Sequence, residues 1–186
     1  RLTRIYPGTQ AEAAGLKVGD VIVSIDGDEI PARRAEDTDV FARQIRQYRA
    51  GTQAVLALWR DGGKIDVNVT LEQQPTPAAE MPWWEDQELE FSVREIAFDD
   101  RVRLQLSPEA TGVLVESAVP AGWAALAGLR SNDVIETAGG FRVTNLAELT
   151  GSREQAVASN KDWWVLLVRR RGQTLFVEIT LKPTKG

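Results

Sequence analysis

One stretch of this chain occurs twice, and that repeat limits the possible folds more than any other feature of the sequence. Residues 7–22 read PGTQAEAAGLKVGDVI, and residues 120–135 read PAGWAALAGLRSNDVI. Matching positions keep one offset, 113 residues, which separates Asp20 from Asp133. Repetition at this distance indicates duplication of a whole domain, because each copy is long enough to bury a core of its own.

A proline-containing segment divides the two copies. Residues 72–85 hold three prolines and show little hydrophobic periodicity, which is typical of an extended linker. The sequence therefore predicts a first domain over 1–71, a linker over 72–85 and a second domain over 86–182. Because the chain begins at Arg1, inside a predicted strand, we expect it to be an excised fragment or a mature segment of a longer protein.

Both copies show the same order of predicted elements. A proline is followed by a short alanine-rich helical turn, which a glycine ends, and then by an apolar strand and a tight turn. Two strands joined by a short turn close each copy. The predicted strands are 21–25, 53–60 and 64–71 in the first copy, and 134–138, 163–169 and 174–179 in the second.

A longer helix is predicted between the first strand and the closing hairpin of each copy. In the first copy it covers about 37–48, and in the second it starts near Thr144 or Asn145. Three apolar side chains of the second helix are expected to face inward, namely Leu146, Leu149 and Val157. The expected fold is therefore mostly β with short helices, an α+β class, arranged as two partly open β-barrels that are each capped by two helices.

The composition excludes the usual catalytic centres. The 186 residues include no histidine and no cysteine, so neither a Ser-His-Asp nor a Cys-His centre can be built. We therefore predict that the chain is not an enzyme and that it holds no metal and no cofactor. The net charge of −5 argues against nucleic acid as a partner, and no run of about 18 apolar residues is present to insert into a membrane.

Several charged side chains are expected to have structural roles. Asp20 and Asp133 follow the Gly-Leu turn of each copy, and we predict that they accept hydrogen bonds from backbone N–H groups in that turn. The acidic pair at 99–100 is predicted to lie in a turn. The arginines at 169–171 are predicted to form a solvated strand edge, because a short charge run usually faces water.

Two tryptophan pairs stand out in the sequence. Trp83 and Trp84 are expected to hold the linker against a domain. One of Trp163 and Trp164 is expected to point into the second core, because successive strand residues face opposite sides of a sheet. The alternative is that these tryptophans are exposed and anchor a partner.

The repeated segment resembles bacterial PDZ domains over about twenty residues. In the first copy the resemblance rests on 7–22 and on Ile25-Asp26-Gly27. The second copy, where residues 112–115 read GVLV before the repeat, resembles the second PDZ domain of HtrA/Deg-type serine proteases. The resemblance implies a tandem of two PDZ domains that bind peptide or unfolded protein segments by β-augmentation.

The implied function is non-catalytic. Such a tandem would serve substrate recognition or regulation for an HtrA/Deg-like serine protease whose catalytic domain lies outside this chain. The alternative is a tandem PDZ scaffold, or an accessory part of a cell-envelope protein that is not a protease. The resemblance also implies a periplasmic or other extracytoplasmic location.

In PDZ domains a glycine-containing loop before the groove strand holds the carboxylate of the peptide through its backbone N–H groups. The corresponding segment of the second copy is 88–94, in which Glu90 stands where a glycine is expected and Glu88 is nearby. Two carboxylates at this loop would repel a peptide terminus by about 1 kcal/mol for each close pair. We therefore expect internal segments, or exposed strands of misfolded proteins, as ligands.

The resemblance also implies which residues line each groove. The residues are Leu89, Phe91, Val93, Asn145 and Leu149 in the second copy, and Val40, Phe41 and Gln44 in the first. The alternative is that the apolar members fill the cores. The groove strand of the first copy would lie before Ile5, so we expect an open sheet edge there, which another segment or a second copy of the chain would cover. A second copy in that place would make a homo-oligomer.

Overall fold

The structure, a computed structural model, describes residues 1–30 and 38–181. The chain divides into two compact units, Arg1–Gln74 and Pro75–Gly186. The second unit therefore begins inside the segment that the sequence assigns to a linker. That segment contributes a short 3-10 helix, Ala78–Glu80, and most of a strand, because Trp83 and Trp84 pair with the second unit and Trp84 packs against its core.

The first unit contains one open antiparallel sheet. Its strands follow the spatial order β2-β1-β3-β4, and β3 and β4 form a hairpin. The elements described are α1 (Gln10–Ala13), β1 (Val21–Ile25), β2 (Asp28–Glu29), α2 (Thr38–Ile45), β3 (Gln53–Arg60) and β4 (Gly63–Thr70).

The second unit contains a larger open sheet. The order is β11-β10-β8-β7-β6-β5, and β9 pairs with β8 outside this path. The elements are β5 (Trp83–Asp86), β6 (Phe91–Glu95), α3 (Phe98–Arg103), β7 (Val113–Ala118), α4 (Trp123–Leu126), β8 (Val134–Ala138), β9 (Phe141–Arg142), α5 (Leu146–Ala158), β10 (Trp163–Arg170) and β11 (Gln173–Thr180).

The predicted class, mostly β with short helices, is confirmed. The sheets are open rather than closed into barrels, since each has strands at its edges with a neighbour on one side only. Up to residue 181, where the described part ends, the second unit has three α-helices instead of two. The additional helix is α3, which includes the acidic pair at 99–100 that we expected in a turn. None of the helices in the described part of the chain is long and apolar enough to cross a membrane.

The sequence repeat is also a structural repeat. Strands β1 to β4 correspond in order and pairing to β8 to β11. Leu2 N donates to Asp20 O and Leu2 O accepts from Gly19 N, as Val115 does with Asp133 and Asn132 in the second unit. The first residues of the chain thus follow the path that β7 takes in the second unit.

Each unit has an apolar core made of its own residues. In the second unit it includes Trp164 and Leu149, both almost fully buried, whereas Trp163 is 59% exposed. The expectation that one residue of the 163–164 pair enters the core is thereby confirmed. Val157, expected to face inward, is exposed, because the buried face of α5 passes through Arg153 and Ala156 and Val157 lies to one side of it.

Candidate functional site

The strand predicted to receive a ligand, β6, has a neighbour on both edges. On one side it pairs with β7, and on the other it pairs antiparallel with β5, with Trp84 opposite Val93 and Asp86 opposite Phe91. A ligand strand can pair with β6 only in the place that β5 occupies. The edge that the resemblance assigns to the ligand is therefore held by a segment of the chain itself.

The turn between β5 and β6 holds a carboxylate through its main chain. Asp86 Oδ1 accepts hydrogen bonds from Glu88 N at 3.0 Å and from Leu89 N at 2.9 Å. Glu90 takes the place of the expected glycine with a left-handed backbone, φ 60°. Its carboxylate accepts from Trp123 N at 3.3 Å, so it lies at the start of α4.

Helix α5 supplies a cation to the same carboxylate. Arg153 Nε donates to Asp86 Oδ2 at 2.7 Å, and Arg153 Nη2 donates to Glu88 Oε2 at 2.8 Å. The side chains of Arg153 and Asp86 are 8% and 6% exposed. Every oxygen of this buried carboxylate thus has a donor, which is the condition for burying a charge without a large cost.

An aromatic side chain anchors the other end of β5. Trp84 is half-buried and meets the Phe91 ring edge-on, with the ring centroids 5.9 Å apart. Phe91 in turn contacts Trp164, so Trp84 packs against the core of the second unit. The neighbouring Trp83 is 63% exposed, as the alternation of side chains along a strand requires.

A cavity of about 550 Å³ lies between β5 and α5. The side chains that line it include Trp84, Asp86, Arg153 and Val157. A larger cavity, about 1150 Å³, is lined by several arginines and includes none of the predicted groove residues.

Two of the arginines at the larger cavity form ion pairs within the fold. Arg169 pairs with Glu136 and Arg170 with Asp133, so these two are not the freely solvated charges that we predicted, whereas Arg171 is exposed. Strand β10 places these two arginines beside carboxylates of the neighbouring segment.

The predicted groove residues of the second unit divide into two groups. Leu89, Phe91, Val93 and Leu149 are all buried in the core cluster. Asn145 is the N-cap of α5, and its side chain accepts a hydrogen bond from Glu148 N. The sequence analysis did not predict Asp86, Arg153 or Trp84 as members of the site. The available signal was that Trp84 and Asp86 are two positions apart and so face the same side of a strand.

In the first unit the predicted groove residues lie on α2. Val40, Phe41 and Gln44 are each half-buried, and Phe41 packs against the core of that unit. Gln44 Oε1 is buried and accepts no hydrogen bond from any residue that the structure describes.

A buried aspartate is held in the same way in both units. Asp20 accepts from Lys17 N and from Arg60, whose Nη2 also donates to Gly15 O. The hydrogen bond from Arg60 holds the pKa of Asp20 below its ordinary value, against the opposing effect of burial.

The equivalent residues of the second unit are Asp133, Arg130 N, Arg170 and Gly128 O. The predicted role of both aspartates as acceptors for backbone N–H groups is confirmed. The arginine partners were not predicted, because each is 37 or more residues away in the sequence.

A further buried ion pair joins β6 to α3. Arg94 Nη2 donates to Asp100 Oδ1 at 2.9 Å, and Asp100 Oδ2 accepts from Ala97 N at the start of α3. Burial alone would raise the pKa of Asp100, but the hydrogen bonds from Arg94, Arg103 and Ala97 outweigh it and leave the pKa below the ordinary value. Asp100 therefore fixes α3 to the strand next to the site.

Comparisons with known proteins identify the fold family. The PDZ domain family matches residues 1–60. A probable periplasmic serine endoprotease, DegP-like, from a Marinomonas species is 32% identical over 149 residues, which cover 79% of this chain and 30% of that protein. A protein of the same description from Chlamydia pneumoniae is 25% identical over 98% of this chain and 35% of its own length.

The chain thus spans about a third of the length of these relatives. A solved PDZ domain protein from Parabacteroides distasonis aligns with 95% of this chain and 91% of its own, at 10% identity and a TM-score of 0.33. Residues 1–60 match the PDZ domain family, and the chain is similar over most of its length to DegP-like proteins, which is consistent with PDZ domains of the HtrA type.

Proposed function

We propose that the chain is a non-catalytic tandem that binds peptides and unfolded protein segments, with one PDZ domain in each compact unit and the boundary between Gln74 and Pro75. The observation that carries this proposal is the turn before β6. Its main-chain N–H groups and the guanidinium of Arg153 together hold a carboxylate at the start of a strand. Strand addition beside a main-chain carboxylate site is a recurring mode of peptide recognition.

We also propose that this binding serves a DegP-like serine protease, by recognising its substrates or regulating it, and that the chain works in the periplasm. The names of the relatives support this role, and they support the location in the same way. The PDZ fold itself is a binding fold, so catalysis would belong to other parts of such a protein.

The ligands that fit best are internal segments of unfolded proteins. Glu88 and Glu90 both lie at the turn before β6, and the carboxylate of Asp86 already accepts the hydrogen bonds of the turn's N–H groups. The carboxylate of a free peptide terminus would add a further negative charge there. An internal strand brings main-chain hydrogen bonds without the added charge of a free chain terminus.

Fluorescence anisotropy with labelled α-lactalbumin tests the proposal. The reduced and carboxymethylated form, which stays unfolded, should bind the chain saturably, and native α-lactalbumin should not. Val157→Lys places a charge in the cavity between β5 and α5 and should weaken binding. Gln155→Lys, on an exposed position of α5 outside the cavity, should not. Absence of saturable binding, or equal binding of native and unfolded protein, would contradict the proposal.

A further inference from the structure

We propose that β5 is a built-in occupant of the peptide site of the second unit, and that the site accepts in its place a segment of another protein with an aromatic residue two positions before an acidic one. This inference rests on the proposed function, because it names the ligand class for the same site. It adds a specificity that follows from which side chains of β5 the unit binds.

The sheet leaves one place for a ligand strand beside β6. β7 covers the other edge of β6 and itself pairs with β8, so it cannot leave without opening the centre of the sheet. β5 is four residues long, and no strand within residues 1–30 and 38–181 pairs with its outer side. It can therefore leave β6 without breaking any other pairing of the sheet, as a short edge strand is free to do.

The acidic position of the ligand follows from Asp86. Its carboxylate binds three donors that do not belong to β5, namely the N–H groups of Glu88 and Leu89 and the guanidinium of Arg153. When β5 leaves, the two N–H groups and Arg153 Nε lose Asp86 as their partner, and Arg153 Nη2 still has Glu88 within reach at the turn. A ligand carboxylate in this position would restore all three charge-assisted hydrogen bonds, which are the stronger kind in proteins.

The aromatic position follows from Trp84. It is the residue of β5 that meets the Phe91 ring and packs against the core, while Trp83 and Glu85 are exposed. The unit therefore contacts alternate positions of the bound strand, 84 and 86, and leaves 83 and 85 in solvent. This alternation gives the sequence pattern aromatic-x-acidic for the ligand.

An internal occupant lowers the apparent affinity of every external ligand. A site that is open for only a small fraction of the time binds with its intrinsic affinity multiplied by that fraction. Weakening β5 should therefore raise the affinity for a ligand that supplies the same groups. The cavity of about 550 Å³ beside Trp84 and Asp86 gives such a ligand a place to enter next to β5.

A peptide with the sequence of residues 80–88, EMPWWEDQE, acetylated, amidated and fluorescently labelled, is the probe. The Asp86→Ala chain should bind it at least about tenfold more tightly than the wild-type chain, because β5 is weakened and the peptide brings the missing carboxylate. Glu85→Ala, on the exposed neighbouring position, should bind like the wild type. A peptide in which the aspartate is replaced by alanine should lose the gain.

A reversible lock gives a second test that does not depend on Asp86. Glu85 and Ser92 lie opposite each other in the β5–β6 pairing, and the chain has no cysteine of its own. In the variant with Glu85→Cys and Ser92→Cys, a disulfide would hold β5 on β6. The oxidised form should not bind the peptide, and reduction with dithiothreitol should restore wild-type binding.

The outcomes separate this inference from the proposed function. Equal binding by the oxidised and reduced lock, or equal binding by wild type and Asp86→Ala, would overturn the inference while unfolded α-lactalbumin still binds. If the chain binds neither the peptide nor unfolded α-lactalbumin in any of these forms, the proposed function fails as well.

Discussion

Arg153 on α5 and Asp86 on β5 lie 67 positions apart in the sequence, and the Arg153 Nε atom is 2.7 Å from Asp86 Oδ2. Both side chains are more than nine-tenths buried. The pair joins the helix of the second unit to the edge strand that occupies its predicted ligand position. The same carboxylate fixes the turn before β6, so one aspartate connects helix, strand and turn.

Removing Arg153 should destabilise the second unit. Arg153→Ala leaves a buried carboxylate with two N–H donors but without its cation, and breaking a buried pair in this way costs about 3 kcal/mol. Chemical denaturation monitored by tryptophan fluorescence measures the loss. Gln155→Ala, on an exposed position of the same helix, is the control and should change the stability by less than about 0.5 kcal/mol. A similar loss in both variants would contradict the assigned role.

The ion pair of Asp133 and Arg170 should stabilise the second unit. Asp133 is fully buried and its partner Arg170 is mostly buried, so Asp133→Ala should cost about 3 kcal/mol. Arg171→Ala, the next residue but an exposed one, should cost less than about 0.5 kcal/mol. Thermal unfolding of the two variants beside the wild type makes the comparison, and equal melting temperatures would show that the pair stabilises nothing.

Acid should weaken the first unit through Asp20. The pKa of Asp20 is lowered in the folded state, chiefly by the hydrogen bond from Arg60. The stability that Asp20 contributes is therefore present above its unfolded pKa of about 3.9 and is lost as the pH falls through its folded pKa. The wild-type chain should therefore lose stability between about pH 5 and pH 2 more steeply than Asp20→Asn, which lacks this contribution at every pH. Denaturant melts of both proteins across this range give the slopes, and parallel slopes would rule out the assigned linkage.

Two glycines of the second unit should respond in opposite ways to alanine. Gly112 has φ 134°, and a Cβ there would lie 2.5 Å from Ile135 O, so Gly112→Ala should destabilise the unit by about 3 kcal/mol. Gly151 lies within α5 with open space around it, and Gly151→Ala should stabilise by about 0.5–1 kcal/mol. Differential scanning calorimetry distinguishes the two signs, and a loss from both substitutions would contradict the local geometry.

The repeat made most of the sheet predictable from the sequence. β1, β3 and β8 have the predicted bounds, because an apolar run between turn-forming residues defines a strand at both ends. The N-cap of α5 was also predictable, since Asn145 is a residue type that favours that position.

The occupied edge of β6 was not predictable in the same way. Pro82 and the nearby prolines favour a linker, and the turn after β5 has Glu90 in a left-handed conformation where a glycine would mark a hairpin. The pair of Asp86 and Arg153 depends on how α5 is rotated against the sheet, which local sequence patterns do not specify. The short helix α3 was missed because Asp99 and Asp100 favour turns as well as the first turn of a helix.

Hydrogen exchange of residues 83–86 tests the central claim most directly. In the free wild-type chain the amides of Trp84 and Asp86 should be protected, because β5 is paired with β6. Saturation with the peptide EMPWWEDQE should remove that protection and leave Phe91–Glu95 protected, because the peptide replaces β5 on the same strand. If residues 83–86 keep their protection while the peptide is bound, the ligand does not take the place of β5 and the account of this site is wrong.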